Sequence, residues 1–451
     1  MQALTLFMIV VVTTFEFLTN GDLWGNWAVL PNWAPYLAEL LGAVALVYVL
    51  LAGTRSRFQF VRPAYWFVFG ALVVAIGCGV VVNNVGSGPV FAGIRNYLRA
   101  MPWFFVPAIF AFSERQIRIQ FRLLLVIAVI QVPLAIQQRI ASMGGGIGAA
   151  TGDWTIGTIT TSGALSIFMI CCTCVVAAMF VRKQLTPQQS IILAVMFLIP
   201  TTINETKATL VLLPIGLWIA FLVAAKPGNR LRYALAALAG VLLFVTIFVP
   251  TYDYMNRERE YAVPLTEMLS DPERLERYLS HGKNVGSTGE VGKLDTVVVP
   301  FQRFRTEPLH LAFGYGIGNV SNSALGRGFV GRYFDLYAPF VRTAFGQLVL
   351  ELGALGLGLI LIVMWLVYRD SRAVARRPEG LMPGFAAGWS GVVAVMVLSM
   401  PYTNAVAITP LAFLFWYFSG LVAADRMRSV LATRSLPRSD EALRISGAVR
   451  T

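Results

Sequence analysis

The chain has 451 residues, of which 57% are hydrophobic and only 13% charged, with a formal net charge of +13. A soluble domain carries about 25% charged residues, so this composition excludes a water-soluble globular fold. The apolar runs are continuous, which excludes the alternating strands of an outer-membrane barrel. The basic excess falls in clusters between the runs and reads as orientation signal, so no nucleic-acid partner is expected.

A bilayer crossing takes roughly 20 apolar residues as a helix. On that measure residues 1–250 hold transmembrane helices one to nine of an all-α polytopic membrane protein with about twelve spans. The first covers about Ala3 to Leu18, with no basic residue before it, and reads as a first helix and not a cleaved signal. The second covers about Pro35 to Ala52, after Trp24, Trp27 and Trp33, which suit an interfacial belt. The third runs about Tyr65 to Val82, the fourth Met101 to Phe112 and the fifth Leu123 to Ala135. A glycine-rich loop from Gly144 to Thr161 precedes the sixth, Ser162 to Val181. The seventh, eighth and ninth cover about Ser190 to Thr202, Ala208 to Ala225 and Tyr233 to Val249. Residues 251–340 form a long polar loop with short helices, 341–424 hold the last three spans, and 425–451 are a basic tail. Spans ten to twelve run about Phe345 to Tyr368, Gly384 to Met400 and Leu411 to Ala424.

Arginine and lysine cluster after every even-numbered span, as at Arg55 and Arg57, Arg115 and Arg118, Arg182 and Lys183, Lys226 and Arg230, Arg369 and Arg372, and the tail. This places both termini in the cytoplasm and the long loop outside, in the periplasm if the cell is a Gram-negative bacterium. The cysteines Cys78, Cys171, Cys172 and Cys174 all sit in apolar runs and offer no disulfide framework or metal-ligand spacing.

Both histidines, His281 and His310, lie in the long loop. There Asp271-Pro272 reads as a helix N-cap followed by proline at the first position. His281 to Lys293 is glycine-rich and expected to be mobile. Asp295 is expected to cap a second helix reaching about Glu307, kinked at Pro300, with Arg303 and Glu307 one turn apart on one face. Gly314, Gly316 and Gly318 form either a plain turn or a nest of backbone amides for an anion. His310 suits acid/base work, or packs or caps as lone histidines do.

Charges at membrane depth are costly. Glu205 and Lys207 sit between spans seven and eight, either in a turn reaching water or with Lys207 aimed at an anionic head group. Arg95, Arg99 and Arg139 lie on the outward side, against the usual bias. With Arg303, Arg305, Arg327, Arg332 and Arg342 they favour an anion site, since guanidinium groups hold phosphate in bidentate fashion. Glu16 reads as interfacial and Glu351 as a structural hydrogen bond between helices.

Three stretches resemble the O-antigen polymerase and O-antigen ligase superfamily. One is Gly152 to Gly163, one is Asn204 to Ala208, and the third is Arg303 to Asn319 followed by Arg342 through Glu351-Leu352-Gly353 to Leu357. The spacing from Arg303 to Gly314 is similar to the arginine–glycine motif of the polymerases. The resemblance implies a GT-C-like, metal-independent glycosyltransferase of the bacterial inner membrane that needs no cofactor. Its partners would be an undecaprenyl-pyrophosphate-linked oligosaccharide, membrane lipid and a chain-length regulator protein. It implies Arg303 and Arg342, with His310 and Glu307, as the catalytic set, and Arg95, Arg99, Arg139, Lys207 and Arg305 as ligands of the substrate pyrophosphate. The ligases of the family place a histidine where this chain has Arg342, which favours a polymerase. The acceptor-activating base is then His310, Glu307, Glu290 or Asp335. A ligase, or a flippase for lipid-linked oligosaccharide, is the alternative, although no repeated halves are visible.

Overall fold

The computed structural model describes residues 1–19, 29–56, 60–143, 154–204, 206–256, 264–280 and 291–435. His281, Glu290, Glu205, Trp24, Trp27, the glycine-rich run at 144–148, the expected mobile stretch up to 290 and the tail beyond 435 lie outside the described residues.

Helices carry the fold, with no strand among the described residues. In chain order they are α1 (Gln2–Thr19), α2 (Leu37–Ser56), α3 (Pro63–Val82), α4 (Ser87–Leu98), α5 (Val106–Ile109), α6 (Glu114–Met143), α7 (Ser162–Val181), α8 (Pro187–Ile203) and α9 (Thr209–Ala224). There follow α10 (Arg230–Asn256), α11 (Leu265–Ser270), α12 (Pro272–Leu279), α13 (Asp295–Phe304), α14 (Pro308–Phe313), α15 (Phe334–Tyr337), α16 (Ala344–Ala375), α17 (Leu381–Ser399) and α18 (Thr409–Ser435). Among the described residues 8 helices are long and apolar enough to cross a membrane: α1, α2, α3, α6, α7, α10, α16 and α17. The apolar helices α8 and α9 are shorter.

Burial separates the core of the bundle from its rim. The spans of α7 and α17 are 83% buried, and they pack on each other and on α9. That of α10 is only 17% buried, with Leu231, Leu235, Leu238 and Leu242 exposed along one stripe. An apolar stripe of this kind is where acyl chains solvate a membrane protein. Local signals set the helix starts. Thr186 and Gln189 form a reciprocal capping box on α8, and the Thr161 hydroxyl accepts from the Ala164 amide on α7.

The fourth expected span is not one helix. Met101–Phe104 is a 3-10 turn and α5 holds four residues. Pro102 and Pro107 each remove an amide donor from the ladder. Packing holds the broken backbone in place. Trp103 and Phe104 are fully buried, Phe105 stacks on Trp66 at 4.4 Å, and a Cβ added at Gly420 of α18 would lie on the Phe104 carbonyl. Non-helical backbone at membrane depth is tolerated where protein surrounds it. α16 is broken too, at Gly353, whose φ of 66° and ψ of −169° lie outside the helix region.

The helix ends gather at two poles. At the basic pole, Asp370 of α16 receives Arg62 and, at 2.8 Å, the Tyr65 hydroxyl of α3. Arg377 pairs with Asp425 at 2.6 Å, and Arg428 donates to the Pro107 carbonyl at 2.6 Å. The other pole carries α11 to α15 and is called the loop pole below.

Candidate functional site

The loop pole is built on a glycine seam. α14 starts with Pro308 at its first turn and ends at Gly314, whose φ is +65°. Gly314 lies directly against the break in α16, where an added Cβ would come within 2.8 Å of the Gly353 amide nitrogen. The Tyr315 amide donates to the Leu350 carbonyl at 2.7 Å, and Asn83 of α3 donates to the Gly314 carbonyl at 3.1 Å. The turn after Tyr315 is therefore bolted to α3, α4 and α16 and is not a free surface loop.

The Gly314 and Tyr315 amides are taken by the His310 and Leu350 carbonyls, so no open nest forms at Gly314 to Gly318; the amides that face an anion are those of Gly318 and Val320, and the protein supplies that anion. The buried carboxylate of Glu351 accepts from the Val320 amide at 3.1 Å and from the Gly318 amide. Ser321 and the Tyr97 hydroxyl of α4 lie beside it. Neither the Tyr97 hydroxyl nor Oε2 of Glu351 completes a well-directed hydrogen bond. Glu351 thus joins α16 to the glycine turn and α4, the structural part expected of it.

The turn presents Tyr315 at the centre of a cluster. Its hydroxyl lies 2.9 Å from that of Tyr337, and its ring stands 4.5 Å from Tyr333, 5.0 Å from Phe304 and 5.1 Å from His310. Burial, followed by the hydrogen bond to Tyr337, pushes the Tyr315 phenol up to about 12. The guanidinium of Arg303 is fully exposed and sits beside both phenols, which raise its pKa further. His310 Nδ1 pairs with Glu307 Oε2 at the start of α14. Arg332 lies over the Tyr333 ring at 5.5 Å, which adds a second cation to the rim.

Three of the residues expected to be catalytic, Arg303, Glu307 and His310, therefore do meet around Tyr315. Their geometry differs from expectation. Leu294, not Asp295, is the N-cap of α13, and the helix ends at Phe304. Glu307 is the N-cap of α14, so Arg303 and Glu307 are on two helices and not on one face. Pro308 explains the break, because the residue before a proline is held out of the helix region. Arg342 is exposed at the end of a 3-10 turn that begins at buried Phe340, whose ring is 6.1 Å from Tyr337. Asp335 lies in the first turn of α15.

The residues expected to bind pyrophosphate are distributed over separate places. Arg95 and Arg99 both pair with Glu39. Arg139 is buried and donates to the Met255 carbonyl at 2.9 Å. Lys207 is over the Tyr278 ring at 5.2 Å and 3.6 Å from Met268 Sδ. Arg305 is exposed two residues after Arg303. Asn204 is a packing residue, donating to the Ser162 carbonyl and to Ser166, both at 2.8 Å.

Tyr315, Tyr333 and Tyr337 are the site residues that sequence reasoning missed. Their signal was present: Tyr315 is flanked by glycines, which leaves the ring without crowding neighbours, and Tyr333 and Tyr337 are spaced four apart. An exposed arginine held by neutral phenols, beside a histidine–carboxylate pair, can bind an anionic leaving group and accept a proton from a hydroxyl. No protein-family model matches the chain, and no curated protein matches it.

Proposed function

We infer that the chain is a membrane glycosyltransferase that polymerises undecaprenyl-pyrophosphate-linked repeat units of O-antigen or exopolysaccharide at the periplasmic face of a bacterial inner membrane. The observation that carries this reading is the grouping of Arg303, Tyr315, Tyr337, His310 and Glu307 at the loop pole. In the reaction, an acceptor sugar hydroxyl attacks the anomeric carbon of the donor. The bond from that carbon to the pyrophosphate oxygen breaks, and lipid pyrophosphate leaves. Arg303, exposed beside the Tyr315 and Tyr337 phenols, meets the charge that develops on the leaving oxygen. His310 takes the proton of the attacking hydroxyl, and Glu307 orients its ring and stabilises the imidazolium. The phenol of Tyr315 stays neutral far above physiological pH, so it is a hydrogen-bond donor in this scheme and not the base.

The same reading makes the membrane domain a twelve-crossing bundle. α4, the 3-10 turn and α5 together supply the fourth crossing, α8 and α9 the seventh and eighth, and α18 the last. The contact of Arg99 with Thr409 at the start of α18, and of Pro107 with Arg428 near its end, supports a traverse from one pole to the other. Both termini then lie in the cytoplasm with the basic pole.

Two interrupted crossings, at Gly353 and at residues 99–105, also favour a second reading, transport of the same lipid-linked oligosaccharide. Deletion of the gene, with analysis of lipid-linked sugars and polymer, tests both. Single repeat units accumulating on lipid outside the membrane, unrelieved by an Arg303→Ala copy, support the polymerase. Units trapped on the cytoplasmic leaflet would replace it with the transporter, and full-length polymer retained on its lipid would indicate the ligase.

A further inference from the structure

A second polar site sits at the loop pole, away from the tyrosine cluster. It is a cavity of about 540 Å³ between the end of α1, the start of α2, α4 and the start of α18. Its polar wall is made by Glu16, Asn32, Tyr36, Glu39, Arg95 and Arg99. Two glutamates and two arginines cancel, so the pocket has no net charge at neutral pH.

The bonding inside it is uneven. Glu39 is saturated: it accepts from Arg95 Nε at 2.7 Å, from Arg95 Nη2 at 2.6 Å and from Arg99 Nη1 at 3.2 Å. Arg99 Nη2 donates to the Ala407 carbonyl at 2.8 Å and the Thr409 hydroxyl at 2.9 Å. Among the described residues Arg95 Nη1 has no hydrogen-bond partner, and its guanidinium rests over the Tyr36 ring at 5.4 Å. Glu16 is half-buried and, among the described residues, makes no hydrogen bond or close ion pair; Arg99 acts on it only through space. A partly desolvated carboxylate without a partner is costly, and a ligand cation removes that cost.

These groups select the ligand. A dianion such as pyrophosphate would face Glu16 and the saturated Glu39 as well as the arginines. A simple cation would face Arg95. A group that carries both a phosphate and an amine, one charge for each side of the pocket, meets neither repulsion. The amine must be a hydrogen-bond donor to satisfy a carboxylate at short range, which a quaternary ammonium cannot do. The pocket lies by the end of α1 and the start of α2, both apolar helices long enough to cross a bilayer, which puts it at head-group depth if both cross. We propose that it binds the phosphoethanolamine head group of an aminophospholipid, with the ammonium on Glu16 and the phosphate on the Arg95 side. This stands apart from the glycan-transfer reading and survives its failure.

The test is native mass spectrometry of the purified full-length protein in detergent, titrated with phosphatidylethanolamine, phosphatidylcholine or phosphatidylglycerol of the same acyl chains. The expected result is an affinity for phosphatidylethanolamine about tenfold or more above that for phosphatidylcholine, the size of one charge-assisted hydrogen bond. The variant Glu16→Gln should bring phosphatidylethanolamine down to the phosphatidylcholine level and leave phosphatidylglycerol unchanged. Soluble O-phosphoethanolamine should compete in the wild type. Equal binding of phosphatidylethanolamine and phosphatidylcholine by the wild type overturns the proposal, and that comparison needs no variant to fold. Preference for phosphatidylglycerol overturns it in favour of a plain anion site. Competition by the soluble group with no binding of the lipid would keep the head-group chemistry and overturn its lipid source.

Discussion

Two sets of arginines stand at the loop pole, and the protein treats them in opposite ways. Arg95 and Arg99 are drawn into a pocket and tied to one carboxylate, Glu39, with side chains 18% and 17% exposed. Arg303 is fully exposed and has two neutral phenols, Tyr315 and Tyr337, beside it. Sequence position alone puts all three among outward-side cations, and a count of positive charge would give each the same role. What decides availability for an anionic substrate is whether the guanidinium fork is already filled. Paired with a carboxylate, it is chiefly a structural tie, with its charge already met and at most one nitrogen left for a ligand; held by phenols, it is oriented and keeps its charge for a ligand.

The strongest test of this contrast removes the post that carries the exposed set. Glu351→Ala takes away the acceptor of the buried Val320 and Gly318 amides. Each orphaned amide costs about 1–3 kcal/mol, so the variant should melt far below the wild type in detergent and make no polymer. Glu351→Gln keeps one carbonyl acceptor and should lose much less stability. An Ala variant as stable as the wild type would mean that the glycine turn holds its shape without Glu351.

Next in size is the direct comparison. On the proposed polymerase reading, Arg303→Ala should lower polymer synthesis by about 100- to 1,000-fold, the cost of removing one donor to a developing anion, at an unchanged melting temperature. Arg95→Ala should do the reverse, with stability falling by roughly 1–3 kcal/mol as Glu39 loses its bidentate partner, and synthesis per folded molecule nearly intact. If Arg95→Ala abolished synthesis at full stability, the paired set would be the substrate site and the contrast would be inverted. His310→Ala should lower synthesis by about 100-fold or more as a lost general base, and Glu307→Gln by less, with neither changing the melt. Equal activity of His310→Ala and wild type would leave the base elsewhere in the loop.

The sequence exposes most of the membrane architecture and only part of the site. Apolar runs marked the 8 helices long enough to cross, because a crossing helix needs a continuous apolar stretch of that length. The Asp271-Pro272 start of α12 was legible because a cap is local: the Asp271 carboxylate accepts from the amides of Glu273 and Arg274, within three residues. The broken backbone at 101–109 was not, since a hydropathy window cannot distinguish a continuous helix from proline-broken backbone packed in by Trp103, Phe104 and Gly420. The same limit hid the partner of the Gly318 and Val320 amides. Gly318 and Glu351 are far apart in the chain, and only the seam of Gly314 against Gly353 brings them together. His310 and Glu307 were singled out because their types carry chemistry. Tyr315 was passed over because a tyrosine between glycines reads as a turn until Arg303 and Tyr337 are seen beside its hydroxyl.

The smallest effect expected belongs to that hydroxyl. In Tyr315→Phe the ring keeps its packing on Phe304, Tyr333 and His310, while Tyr337 and Arg303 lose one partner. One hydrogen bond is worth about 1 kcal/mol, so synthesis should fall only about fivefold. The alkaline side separates a positioning phenol from a base. Burial and the Tyr337 hydroxyl raise the Tyr315 pKa from the ordinary 10.0 to about 12 in the folded protein. A raised folded pKa gives stability that is fully present below pH 10 and is lost as pH rises toward 12, because the unfolded chain releases the proton first. The wild type should therefore lose melting temperature across that window more steeply than Tyr315→Phe. The pH profile of synthesis below pH 9 should keep the same shape in both. A profile whose basic limb moves in Tyr315→Phe would make this phenol a proton carrier and would take that task from His310.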